Sequence, residues 1–285
     1  LPNHVFLTAP TGWGKTLVGL LKAANDRPSK VFYTLPTITA IRKLFDGLKS
    51  LLEEESIGEY FYFADFDVLA GSEEEGEVKL LDIYRFFIPR INVTTVDQLI
   101  LSMLKVGKYH MRRFNFRRSL IIIDEYHLLT PEMVGALKAI IDVYKDPYRF
   151  KFLLMTATPS GIFREELQEV LEGAANYELR KEYEKLRRHR ISIESDLFGR
   201  GIEILKESIR RGKRVLVILN KVDKAIDFYK ELSGLEKTLL LHSRFSTKDR
   251  LSKEGAIDRC KVFVATQVAE VSLDMSFDIL ITDIA

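Results

Sequence analysis

Short runs of aliphatic and β-branched residues alternate along this chain with longer segments whose apolar residues recur at helical spacing. That alternation confines the fold to a parallel α/β sheet. The reason is geometric, because parallel neighbours cannot be joined by a tight hairpin and each return needs a crossover long enough for a helix. The first half predicts strands at His4–Thr8, Lys30–Leu35, Ile91–Thr94, Ser119–Asp124 and Lys151–Thr156, and the second at Arg214–Leu219, Thr238–His242, Lys261–Thr266 and Asp278–Thr282. Between the two sets lies KEYEKLRRHR, residues 181–190, which is charged and has no sustained apolar face. It reads as an interdomain boundary, giving one domain over 1–185 and a second over 190–285. The acidic stretch SEEEGE, 72–77, reads as a solvated loop.

Composition narrows the classes. A chain of 285 residues can bury two cores, and its net charge of +2 neither predicts nor excludes a nucleic-acid partner, so any such surface must be local. The lone Cys260 excludes an internal disulfide and a cysteine-based zinc site, which fits a reducing compartment with the cytoplasm as default. No apolar run approaches the ~20 residues needed to cross a bilayer. The opening LPNHVFL has neither an initiator Met nor the basic start of a signal peptide, so an interior piece of a longer protein is expected.

Chemistry enters at APTGWGKT, residues 9–16, between an apolar run (Val5, Phe6, Leu7) and the helical LVGLLKAA. A strand passing into a helix through such a loop is the setting of a phosphate-binding loop: backbone N–H groups and the positive helix end surround phosphates. Gly12 and Gly14 permit close approach, Lys15 supplies a mobile charge, and the Thr16 hydroxyl can ligate Mg2+. Trp13 reads as a packing or exposed loop residue rather than a base-stacking platform. The loop opens on Ala9, where the usual pattern has glycine, and an ordinary Gly-containing turn is the bland reading. SLIIIDEYH, 119–127, argues against that reading. Four consecutive apolar residues running into two carboxylates describe a central strand ending at the carboxyl edge of a sheet, where ligands bind in open α/β folds. There Asp124 would hold the metal shell, and Glu125 would orient and deprotonate an attacking water. His127 is either part of that site or a structural cap.

APTGWGKT, DEYH and MTATPS (155–160), in that order, resemble motifs I, II and III of superfamily 2 helicases of the DExH type, in which Ala at the first loop position is ordinary. TLPTITAIRKL (34–44) and NVTTVDQLILSML (92–104) resemble motifs Ia and Ib; LLHSRFSTKDR (240–250) and VATQVAEVSLDMSFD (264–278) resemble second-domain motifs, close to the helicase subunit of type I CRISPR interference. The resemblance implies two tandem RecA-like domains with ATP between them, the second incomplete at its C-terminus. It implies ATP and Mg2+ as cofactors, with Thr11, Gly12, Trp13, Gly14, Lys15, Thr16 and Asp274 at the nucleotide, Thr16 and Asp124 at the metal, and Lys15, Asp124, Glu125 and His127 in catalysis. Single-stranded DNA would be gripped by Pro36, Thr37, Thr94, Thr95, Asp97 and Gln98 in the first domain and by Ser243, Arg244, Thr266 and Gln267 in the second. Such hydroxyls and amides suit phosphate and sugar more than base edges, so binding would be largely sequence-independent. Taken singly, each could equally form a turn or cap a helix. Thr156 and Thr158 would couple the two sites or merely fix a turn before Pro159. The implied partners are single-stranded DNA, a type I CRISPR surveillance complex and an HD-type nuclease carried elsewhere, since no His-Asp dipeptide occurs in the chain.

Three features leave alternatives open. ILNKVD, 218–223, contains the N-K-x-D of guanine-reading GTPases, but DEYH lacks the D-x-x-G those proteins carry at the metal strand. KYHMRRFNFRR, 108–118, is either a solvated basic face or an added electrostatic track for a strand; Arg187, Arg188 and Arg190 in the boundary segment are read with the same reserve. Finally, the late motif Q-x-x-G-R-x-x-R does not occur before Ala285. Loss of an arginine finger typically costs ~10^3–10^5 in rate, so this segment alone is expected to bind nucleotide but hydrolyse it poorly.

Overall fold

A computed structural model describes residues 2–53, 56–61, 83–104, 109–158, 161–185, 190–232, 234–235, 237–267 and 276–283. The chain divides into two units, Leu1–Arg188 and His189–Ala285.

The first unit is a seven-stranded, wholly parallel sheet. Its strands are β1 (His4–Thr8), β2 (Lys30–Thr34), β3 (Ile57–Tyr60), β4 (Ile91–Thr94), β5 (Ser119–Asp124), β6 (Lys151–Thr156) and β7 (Ala175–Glu178), in the order β3-β4-β2-β5-β6-β1-β7. Every residue of β5 is buried, as a strand covered on both faces requires. Its side chains divide by parity. Ile121 and Ile123 join Phe6, Phe32, Phe152 and Leu154 in one core, while Leu120 and Ile122 join Val5, Val31, Tyr33 and Leu153 in another across the sheet. The helices α1 (Lys15–Asp26) and α2 (Ile38–Lys49) follow β1 and β2. Val18 and Ala23 of α1 cover the second core. Ile41, Phe45 and Leu48 of α2 pack in the first, together with Leu137, Ile140 and Ile141 of the helix Pro131–Tyr148.

The second unit holds β8 (Val215–Ile218), β9 (Thr238–Leu241), β10 (Val262–Ala265) and β11 (Ile279–Thr282), again all parallel, in the order β11-β8-β10-β9. Val215, Val217, Val262 and Val264 pack with Leu205 and Phe228, whereas Leu241, Phe263 and Ala265 lie in a separate cluster.

Each strand expected from the sequence is present within a residue or so of its bounds. Two others, β3 and β7, escaped the reading, and both lie at sheet edges. An edge strand has one neighbour and need not be apolar throughout: β3 reads IGEY, and β7 reads ANYE with three of its four residues exposed. The segments 72–77 and 187–188 lie outside the described residues.

Candidate functional site

The carboxyl ends of β1, β5 and β6 carry the three motifs. The loop after β1 enters through Ala9, fully buried, whose N–H donates to the Thr156 carbonyl at 3.0 Å. This seat on β6 leaves no need for glycine at the first loop position. Glycine is needed at Gly12 (φ 76°) and Gly14 (φ 98°), which hold left-handed conformations costly for other residues. Gly14 is the residue from which α1 starts. Thr11, Trp13 and Thr16 are exposed along the loop; Trp13 keeps 42% of its surface and lies in no core.

Lys15 points inward. Only 8% exposed, its ammonium lies 3.2 Å from Glu125 Oε1 and 3.4 Å from the Ala9 carbonyl. Asp124 ends β5 with a buried carboxylate that accepts from the Tyr33 hydroxyl (3.0 Å) and the Glu125 N–H (3.0 Å). Burial, reinforced by the Glu125 charge, pushes the Asp124 carboxyl up to about 6. Burial and the same carboxylate push the Tyr33 phenol upward, so it remains a donor. Glu125 itself adopts φ 52°, a left-handed backbone that costs roughly 1–2 kcal/mol for a non-glycine residue. The turn ends the strand and places its carboxylate against Lys15, against the Ala157 N–H (3.3 Å) and beside His127 Nδ1 (3.4 Å).

His127 completes the link. Its Nδ1 shares a 2.7 Å hydrogen bond with the Thr156 hydroxyl, which donates to the Thr158 carbonyl (2.9 Å) and accepts the Thr158 N–H (3.0 Å). Loop, carboxylate strand and threonine turn thus form one continuous polar network. The structure therefore gives His127 and Thr156 more than isolated capping roles.

The residues expected to touch a strand fare unevenly. Pro36 is exposed, and Thr37 caps α2, accepting from the Ala40 N–H at 3.3 Å. Thr95 precedes the helix Val96–Met103 and makes no capping bond to it, and Asp97 is exposed in its first turn. Two expectations need correction. Thr94 is fully buried and its hydroxyl donates to the Tyr60 carbonyl (2.6 Å), while Gln98 is 4% exposed and accepts from Arg112 (3.2 Å). Thr94 is engaged because the unread strand β3 lies beside β4, and Gln98 because the helix Tyr109–Phe114 brings Arg112 to it. In the second unit Ser243 is exposed and Thr266 buried; Gln267 donates to Asn220 (3.1 Å), and Arg244 makes a two-pronged pair with Asp223 (2.6 and 3.4 Å). Asn220 and Asp223 of the GTPase-like string are thus bonded to neighbouring loops, not arranged as a base-reading pair. Asp274 and Pro159 lie outside the described residues. In the basic run 108–118, Arg112 stacks on Tyr60 (4.9 Å) and Arg113 donates to Tyr148 and Tyr144 (3.0 and 3.1 Å), so both serve packing.

Sequence reasoning missed Tyr33 and Tyr183. Tyr33 is fully buried on β2 with its hydroxyl at Asp124. Tyr183 donates to the Ala157 carbonyl. Neither stands in a motif, and only the sheet order brings β2 beside β5. The oxygen donors Thr16 and Asp124 fit Mg2+, which binds oxygen and usually keeps one or two protein ligands beside phosphates and water. No cluster of three or more His, Cys, Asp or Glu that could hold a metal occurs among the described residues.

A phosphate-binding loop and an acidic strand end on a parallel sheet, bonded through a threonine turn, are the arrangement of a nucleotide-binding α/β domain of the DExH kind. The sequence pattern of the DEAD/DEAH box helicases matches residues 2–167. The chain belongs to that family. Residues 211–285 match the family described as CRISPR-associated nuclease/helicase Cas3, C-terminal. A Methanocaldococcus jannaschii protein bearing the Cas3 nuclease/helicase name is 31% identical over 99% of this chain and 42% of its own length. The Escherichia coli K12 CRISPR-associated endonuclease/helicase Cas3 is 28% identical over 99% of this chain and 39% of its own. The chain therefore spans about 40% of the length of these relatives. In fold it is similar to T. fusca Cas3 crystallised with AMPPNP (TM-score 0.76, 20% identity, 99% of this chain and 40% of that one). It also resembles the DUF1998 helicase MrfA bound to DNA (TM-score 0.71, 15% identity, 98% and 40%). Two RecA-like parallel sheets are thus the architecture. No described helix is long and apolar enough to cross a membrane.

Proposed function

We propose that this chain is the ATP-driven motor of a helicase that translocates on single-stranded DNA during CRISPR interference, recruited to a surveillance complex and acting with a nuclease carried elsewhere. The observation that carries the reading is the network from Lys15 through Glu125 to His127 and Thr156, which joins the glycine loop, the carboxylate strand and the threonine turn at 2.7–3.4 Å. The relatives named Cas3 support the CRISPR role.

Lys15 exchanges its contact with Glu125 for the nucleotide phosphates, and the N–H groups around Gly12 and Gly14 hold those phosphates beside the start of α1. When bound, Mg2+ supplies charge neutralisation at the phosphates, with Thr16 and Asp124 as the residues that hold it. Glu125, released from Lys15, orients the attacking water and takes its proton. His127 and Ala157 hold the carboxylate from behind, so a shift of Glu125 pulls on the Thr156–Thr158 turn. That turn relays the state of the nucleotide toward the strand-gripping residues Thr37, Thr95 and Asp97 of the first unit; in the second unit the exposed Ser243, Arg244 and Gln267 are the candidates for grip, and the buried Thr266 is not.

The test is DNA-stimulated hydrolysis and strand displacement by the intact protein. Lys15→Ala is expected to lose nucleotide binding, whereas Glu125→Gln keeps binding and loses turnover by about 10^2-fold or more. Turnover stimulated by RNA in preference to single-stranded DNA, or undiminished in Glu125→Gln, would refute the proposal.

A further inference from the structure

At the opposite end of the first sheet, where strands begin, Arg27, Arg90, Arg118, Arg149 and Lys151 surround a cavity of about 550 Å3 together with Asp26. It lies one strand length from the nucleotide motifs, ~20 Å along β5 at about 3.3 Å per residue. Five cations face one carboxylate here, in a chain whose whole net charge is +2. Asp26 offsets at most one of them, because it pairs with Lys151 (3.4 Å) and also with Lys22 (2.9 Å) outside the lining, so the four arginine charges are left over. Among the described residues the four guanidinium groups have no side-chain hydrogen bond or ion pair, and all four arginines are exposed. Arg112 and Arg113 of the nearby basic run show the alternative, since both are stacked on tyrosines.

Two features indicate that these arginines are placed rather than scattered. Their loops are tied by the backbone: Ser29 N–H to Arg118 O (2.9 Å), Val31 N–H to Arg90 O (2.8 Å) and Arg118 N–H to Tyr148 O (2.7 Å). Moreover Arg27, Arg118 and Arg149 sit at φ 45°, 55° and 55°, positions where glycine or asparagine is less strained. Arg27 and Arg149 close helices, whose negative ends favour a cation. That explains charge at two positions. It explains neither a strained arginine in place of glycine nor the convergence of Arg90 and Arg118, which close no helix.

We infer that this cavity is a second anion site, binding the phosphate groups of either a free polyphosphate or a nucleic-acid strand. Guanidinium forks meet phosphate oxygens two at a time, and a concave cluster suits one or two phosphates. The strained positions also supply a benign test. Arg27→Gly, Arg118→Gly and Arg149→Gly remove the charge while keeping the backbone each site requires, so the triple variant is expected to melt no lower than the parent chain.

Pyrophosphate binding is measured by calorimetry in the Lys15→Ala background, which silences the phosphate loop, and binding of a labelled single-stranded oligonucleotide is measured across a salt series. A free-polyphosphate site predicts pyrophosphate binding that survives Lys15→Ala and weakens about tenfold or more in the triple variant. A strand site predicts weaker oligonucleotide binding with a salt slope shallower by about 2, from three lost contacts at ~0.7 each. Unchanged affinity for both probes in a folded triple variant would overturn the inference, as would binding of an acidic peptide alone. Because the motor reading rests on hydrolysis and this one on Lys15-independent binding, either can fail without the other.

Discussion

Asp124 shows how a single residue can lower stability where the proposed activity needs it. Its carboxyl is raised to about 6, above the ~3.9 of a free aspartate, chiefly by burial. The folded chain then binds this proton more tightly than the unfolded chain, so stability falls as pH rises from about 4 through about 6 and stays lower above it. Asp124→Asn is therefore expected to stabilise the nucleotide-free protein by about 1–3 kcal/mol at pH 7.5 while abolishing hydrolysis. The gain should shrink by pH 5, and thermal melts at the two pH values check it; an equal gain at both would exclude this cause. Tyr33 acts on the same carboxylate. Tyr33→Phe is expected to raise several-fold the Mg2+ needed for half-maximal nucleotide binding, with a stability change near 1 kcal/mol, as for one hydrogen bond. A titration of nucleotide binding against Mg2+ reads the first and urea unfolding the second.

Elements differ in what their glycines do. Gly58 lies in the edge strand β3, where an added methyl would stand 2.7 Å from Pro89 and from Tyr84. Gly135 lies on the exposed side of the helix Pro131–Tyr148, where it would meet nothing. Gly58→Ala is expected to cost about 1–3 kcal/mol, and Gly135→Ala to add about 0.5–1, both read by urea denaturation. Burial of β5 was legible as an unbroken apolar run. The edge strands β3 and β7 of the first sheet were not, unlike the edges β9 and β11 of the second, because their residues are mixed in polarity and β3 is held by one neighbour and by aromatic contacts. Tyr60, for example, meets Phe87 edge-on at 6.2 Å. With β3 unread, Thr94 looked available when it is enclosed.

For the whole molecule, the two units have separate cores, and the motif set for nucleotide lies in the first. Residues 1–188 expressed alone are expected to fold and to bind ATP with Mg2+ in a Lys15-dependent way, whereas residues 189–285 alone should not. In the intact chain the nucleotide should raise the melting transition of the first unit, by mass action on the folded state. Calorimetry of the three chains with and without nucleotide checks this. Binding confined to the second unit would sink the site assignment and leave the fold untouched.

The amino-acid sequence by itself determined the parallel α/β class, the described strands apart from the two edges of the first sheet, and the order of the motifs. Those features are written within a few neighbouring residues, as apolar periodicity, glycine placement and paired carboxylates. Tertiary structure alone decided that Tyr33 reaches an aspartate 91 positions away, that Thr94 and Gln98 face inward, and that arginines from four separate loops surround one cavity. The reason is that partnership and burial depend on which strands lie side by side, and the sheet order joins segments far apart along the chain.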